Sequence, residues 1–114
     1  MKTIKKRIGF VAVDSGQLMV CDPCYLSEWK NDEFDNPKSK KTDFSYSNVC
    51  KITLEKPDFA GQINFKLGHE GRAVAFASGF GDGCYPVIGH FKDYGTKDQP
   101  DIRIKKIEIL MIKD

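Results

Sequence analysis

Apolar residues alternate with polar ones through most hydrophobic runs of this chain, and glycine, proline or aspartate closes nearly every run. A period of two sends successive side chains to opposite faces of a strand, so the pattern commits the chain to β structure joined by turns. Residues 4–13 read as a first strand, with Ile8, Phe10 and Ala12 on one face and Val11 and Val13 on the other. Asp14-Ser15-Gly16 then predicts a tight turn, and "QLMVC" the returning half of a hairpin. Tyr46, Cys50, Ile52 and Leu54 resume the alternation, followed by Ile63, Phe65 and Leu67. Ala73, Ala75 and Ala77 form a stripe of small side chains that lets another layer approach closely. "GFGDG" is a glycine-rich turn, and in the strand after it Pro86, which has no N–H for a ladder, predicts an edge or a bulge.

The last run, "DIRIKKIEILMI", changes phase: Ile102 and Ile104 share one parity, and Ile107, Ile109 and Met111 the other. One extra residue at Lys105-Lys106, a β-bulge, would return all five to the same side. The expected fold is therefore all-β, an antiparallel sandwich or partly closed barrel of about seven to eight strands. At most one short helix is expected, near Ser27–Lys30 with Ser27 as its cap. Residues 1–114 are read as a single domain, and the polar segment 31–45 as an irregular loop of the length that often forms a lid.

With 40% hydrophobic and 30% charged residues, the composition is that of a globular chain rather than a disordered one. No apolar run approaches the roughly 20 residues that span a bilayer. The basic start "MKTIKKRIGFVAVDSG" alternates like a strand and carries no cleavage site, so it is read as mature protein. The expected compartment is the cytoplasm, where the four cysteines would be reduced thiols. A net charge of +2 is too small to imply long nucleic acid.

One short pattern occurs twice. Asp22-Pro23-Cys24-Tyr25 and Asp82-Gly83-Cys84-Tyr85 both spell Asp-x-Cys-Tyr, and each follows a Ser-Gly, at Ser15-Gly16 and Ser78-Gly79. Turn chemistry accounts for Asp-Pro and Asp-Gly, yet it asks for neither the thiol nor the phenol that follows. The repetition predicts that the two turns converge on one site; the plainer alternative is that each aspartate caps its own turn while the tyrosines pack inward. Zinc is not expected, because Cys21-x-x-Cys24 has no second close pair, and Cys50 has the parity of a core residue. Nucleophilic hydrolysis would require His69 or His90 beside Cys24 or Cys84.

Binding is the more natural chemistry for these side chains. Tyr25, Trp29 and Tyr85 offer flat faces for stacking, and Arg72 and the lysine-bearing loop offer positive charge. Asp22 and Asp82 offer acceptors, and the glycines around Gly83 bring backbone N–H groups toward a ligand. Stacking on one aromatic contributes about 1–3 kcal/mol per base in nucleic-acid sites, enough to matter for a single nucleotide.

The stretches "VDSGQLMVCDPCYL" (13–26) and "GRAVAFASGFGDGCYPV" (71–87) resemble a family of small bacterial and phage proteins known as a domain of unknown function. The resemblance implies a mostly β domain in a phage or prophage setting and supplies no reaction. In size and residue types the chain is also similar to phage sponges, which sequester nucleotide signals of bacterial defence in pockets often built between subunits. The leading expectation is thus a non-enzymatic binder of a nucleotide-like small molecule, with Asp22, Cys24, Tyr25, Trp29, Arg72, Asp82, Gly83, Cys84 and Tyr85 at its site. It assigns no catalytic residue, metal or cofactor, and no membrane partner; homo-oligomerisation is compatible with it. The alternatives are a small hydrolase using Cys24, Cys84 or the turn aspartates, and a module that offers a sheet edge to a host protein.

Overall fold

The computed structural model describes residues 3–55 and 57–113. In chain order these form β1 (Thr3–Val13), β2 (Gln17–Cys21), a 3-10 helix (Pro23–Glu28), α1 (Tyr46–Glu55), β3 (Ala60–Ile63), β4 (Ala73–Ala77), β5 (Gly83–Asp93) and β6 (Ile102–Ile109). The chain is mostly β and antiparallel, with six strands rather than seven or eight among the described residues. They make two three-stranded sheets, ordered β1-β5-β6 and β2-β4-β3, with no closed barrel.

The two sheets differ in how they are covered. Helix α1 lies on the β2-β4-β3 sheet, and Phe44, Val49, Ile52, Ile63, Ala73 and Ala75 close the core between them. The alanine stripe has the use its small side chains suggested, since Ala73 and Ala75 are buried beneath the helix. No residue of β1, β5 or β6 belongs to this core, and no strand of one sheet makes extensive contact with a strand of the other. The molecule is elongated as a result. Its radius of gyration is 17.0 Å, against about 13 Å for a compact domain of roughly 100 residues.

The segment 46–54 is helical, not extended. Val49, Cys50, Ile52 and Thr53 are all buried while Leu54, expected on the same strand face as Cys50 and Ile52, is exposed, which is the spacing of a helix against a sheet and not strand alternation. Ser45 marks its start: its Oγ accepts from Asn48 N–H at 3.2 Å, and its carbonyl accepts the Val49 N–H at 3.0 Å. That is an N-cap in front of a helix. Cys50 is a core residue as expected, but on α1.

Residues 14–16 do not close a hairpin. They carry the chain from β1, paired with β5, to β2, paired with β4. The first strand also departs from simple alternation, through a bulge between Arg7 and Gly9. Ile8 Cγ2 comes within 3.2 Å of where a Gly89 Cβ would lie, so Ile8 shares the face of Val11 rather than that of Phe10. The bulge expected in the last strand is present: His90 pairs with Lys106 and Phe91 with Ile104, leaving Lys105 unpaired. Ile102, Ile104, Ile107 and Ile109 consequently share one face. Pro86 occupies the central strand of its sheet, not an edge, and its missing N–H falls where the β5–β6 ladder ends. Its carbonyl accepts from Leu110 N–H just past the end of β6, so its nitrogen points to the same side, where pairing has stopped.

Candidate functional site

The doubled motif splits in two. Its Ser-Gly halves meet: Ser78 N–H donates to the Gly16 carbonyl at 3.0 Å, where the chain crosses between sheets at 14–16 and again at 78–82. Its Asp-x-Cys-Tyr halves do not meet within one chain. β2 separates them, and five residues of strand span about 17 Å.

At the crossing, the Tyr85 hydroxyl is shared between the carbonyls of Ser78, at 3.1 Å, and Gly81. Ser78 Oγ donates to the same Gly81 carbonyl at 2.7 Å. Gly79 adopts φ +63°, and a Cβ there would come within 2.9 Å of Ile112, so only glycine suits both its backbone and its neighbour. Gly83 is also held close, since a Cβ on it would meet the Tyr85 ring at 3.1 Å. Tyr85 therefore braces the junction, as the plainer reading of the motif had it. Asp82 and Cys84 are exposed, with Cys84 opposite Ala12 in the ladder.

At the far end of β2, Asp22 caps the 3-10 helix by accepting Cys24 N–H at 3.0 Å, with Pro23 at the first helical position. The helix thus starts before Ser27, and the expected cap at Ser27 is replaced by Asp22. Partial desolvation, then the Asp22 carboxylate by hydrogen bond and charge, push the Cys24 thiol above its ordinary range. This favours the protonated thiol and works against Cys24 as a nucleophile. No histidine activates it: His69 stacks on Phe65, and His90 pairs with Glu108. Among the described residues no three His, Cys, Asp or Glu side chains are grouped as a metal site would need.

Tyr25, Trp29 and Arg72 belong to the packing of the cored sheet. Tyr25 meets Phe65 edge-on with centroids 5.3 Å apart, and Trp29 meets Phe44 likewise at 5.1 Å. Arg72 is only 3% exposed. Its guanidinium donates to Glu28 at 2.8 Å and to the Thr42 carbonyl at 3.2 Å, and lies 4.9 Å from the Phe44 ring centroid. A cation so placed ties the 3-10 helix and the loop before α1 to the sheet, although its buried Nε–H has no hydrogen-bond partner among the described residues.

The positive charge that remains available lies on the loop, where the lysines had been noted without a partner element. A cleft of about 480 Å³ opens between residues 39–42, α1 and the end of β3. Lys40, Lys41 and Lys51 line it together with Asn48, Gln62 and Asn64, with Glu55 as the opposing charge. None of the three lysines forms an ion pair among the described residues. Asn48 organises the loop: its buried amide donates to the carbonyls of Lys41 at 3.0 Å and Asp43 at 2.8 Å. Lys51 Nζ donates to the Asn36 carbonyl at 3.2 Å, and Asp32 accepts Ser47 N–H at 2.7 Å, so the segment is fastened to the helix start. Reading 46–54 as a strand hid this site, because the cap Ser45 and the helical spacing of Asn48, Lys51 and Glu55 are what bring those side chains to one wall.

No helix among the described residues is long and apolar enough to cross a membrane. No curated protein and no solved structure matches the chain. Residues 8–96, which hold both sequence motifs, the sheet crossings and the lysine cleft, match the family described as Protein of unknown function (DUF4241), and the chain belongs to that family.

Proposed function

We propose that this protein binds a small, anionic, nucleotide-like molecule without transforming it, and that the lysine cleft is where the ligand enters. The observation that carries this is the grouping of Lys40, Lys41 and Lys51, free of carboxylate partners, in a cleft of about 480 Å³. That volume falls in the range of small-molecule sites, roughly 300–1,000 Å³. Three lysines against the single carboxylate of Glu55 leave the cleft with a positive balance that a bound phosphate would neutralise. Recognition then rests on charge and on the amides of Gln62 and Asn64 rather than on stacking, since Tyr25, Trp29 and Tyr85 are occupied in packing. In a phage-encoded protein this activity would sequester a nucleotide-derived defence signal, the setting that the sequence resemblance implies.

Calorimetry with mononucleotides, cyclic dinucleotides and ADP-ribose derivatives tests the reading. Binding should weaken as salt rises, because the attraction is screened. Lys40→Glu and Lys41→Glu, both at exposed positions, should weaken it further without changing the melting temperature by more than a few degrees. Ligand recovered intact after heat denaturation supports a binder, and recovered product makes the protein an enzyme. If every ligand that binds is indifferent to both charge reversals, the cleft is not the site.

A further inference from the structure

The β1-β5-β6 sheet is amphipathic, and no element among the described residues covers its apolar face; only the β5–β6 loop borders one end, where Gly95, Thr96 and Pro100 form a cleft with Ile4, Phe91 and Ile102. Ile4, Ile8, Ile102, Ile104 and Ile107 are each about half exposed or more, with Ile102 at 63% and Ile104 at 57%. The register puts them on one face with Phe91 and Val87. Lys5, Arg7, His90, Lys92, Arg103 and Lys106 occupy the other, together with Glu108, Ile88 and Phe10. An antiparallel sheet normally turns its apolar face to a core and its polar face to water. Here the polar half of that arrangement is present and the core is missing. Three strands without a packed face are at the margin of stability in water.

We propose that this face docks against the same face of a second copy of the chain, forming a symmetric sheet-on-sheet dimer. The dimensions suit it. Strands of eight to eleven residues, about 3.3 Å per residue and about 4.8 Å apart, give a face of roughly 14 by 30 Å. Two such faces together remove on the order of 1,000 Å² of surface once side-chain relief is included, the threshold for a specific interface. A face built of β-branched side chains interdigitates with its own kind in aligned sheet packing.

The charges also favour a copy over other partners. Lys6 is on the edge strand, its Nζ 5.7 Å from the Phe91 ring centroid, and can reach the rim. Asp93 is turned into the β5–β6 loop, where it accepts the N–H groups of Gly95 and Asp101. The face therefore asks for no counter-charge from a partner, and stacking two copies leaves both basic faces outward.

Analytical ultracentrifugation of the wild-type chain between about 1 and 100 µM should show a monomer–dimer equilibrium. Ile104→Lys should weaken it at least about a hundredfold, because two copies of a buried isoleucine are lost per dimer. Val74→Lys, on the outer face of the other sheet, should leave it unchanged. Amide exchange on the unmodified protein gives an independent readout: protection along β6 should rise with concentration. A wild type that stays monomeric throughout, including one that binds only a different protein, overturns the proposal. So does a dimer that persists in folded Ile104→Lys, or that Val74→Lys dissolves.

Discussion

The β2-β4-β3 sheet gives one face to helix α1 and closes a core around Ile63 and Ala75. The β1-β5-β6 sheet has as many strands and longer ones, yet holds Ile102 and Ile104 in contact with water. The difference does not come from hydrophobicity. The longer sheet carries more aliphatic β-branched residues, and its bulges at Ile8 and Lys105 bring all its isoleucines but Ile88 to a single face. What it lacks, among the described residues, is a second layer from its own chain. The shorter sheet has that layer because the capped segment 45–55 folds back over its alanines. A matching secondary structure thus has two different outcomes, decided by whether an amphipathic partner is covalently at hand.

The sharpest way to break this comparison is to cut the same atoms from both sheets. Ile63 is fully buried, and Ile63→Ala should cost roughly 2–5 kcal/mol of stability. Ile104→Ala, measured by urea denaturation at a concentration where the chain is monomeric, should cost well under about 1 kcal/mol beyond the change in strand propensity. Equal losses would mean that the exposed face is packed after all.

A smaller effect is expected where the two sheets join. Tyr85→Phe removes the hydroxyl shared by the Ser78 and Gly81 carbonyls and should cost about 1 kcal/mol. If the junction couples the sheets, amide exchange will quicken on both sides of it, in β2 and in β5. Exchange that quickens only within residues 78–85 would instead make the two sheets independent units.

The smallest effect is electrostatic and confined to the end of the uncovered sheet. The N–H of Asp101, and then that of Gly95, hold the Asp93 carboxyl below the usual aspartate range. A depressed folded value means that the interaction contributes fully above the unfolded value of about 3.9 and is lost as pH falls through the folded one. The amide proton shifts of Gly95 and Asp101 should therefore titrate together with a midpoint below that of an ordinary aspartate. A midpoint at or above the ordinary value, or two unrelated midpoints, would show that Asp93 does not hold the loop.

Much of the uncovered sheet was legible beforehand. Phase changes in the isoleucines predict a bulge near Lys105, because pairing two strands with all apolar residues on one side leaves no other register. The candidate site was less legible. Tyr25, Trp29 and Arg72 carry the same residue types whether they meet a ligand or one another, and only the distances to Phe65, Phe44 and Glu28 separate the cases. The lysine cleft depends on α1, and the even-numbered apolar residues of 46–54 fit a strand equally well until Ser45 is seen to cap.

Local chemistry in the sequence by itself determined the mostly β, antiparallel character of the chain, the bulge of the last strand and the gathering of that strand's isoleucines on one face. Each of these follows from steric and hydrogen-bonding limits felt within a few residues. Tertiary structure alone decided which strands pair and where the chain crosses from one sheet to the other. It also decided that the Ser-Gly halves of the repeated motif meet while the Asp-x-Cys-Tyr halves stay apart. Those outcomes rest on contacts tens of residues distant in sequence. Gly16 meets Ser78 because β2 and β4 align in one register, and that alignment is set by the helix burying Ala73 and Ala75 on a single face.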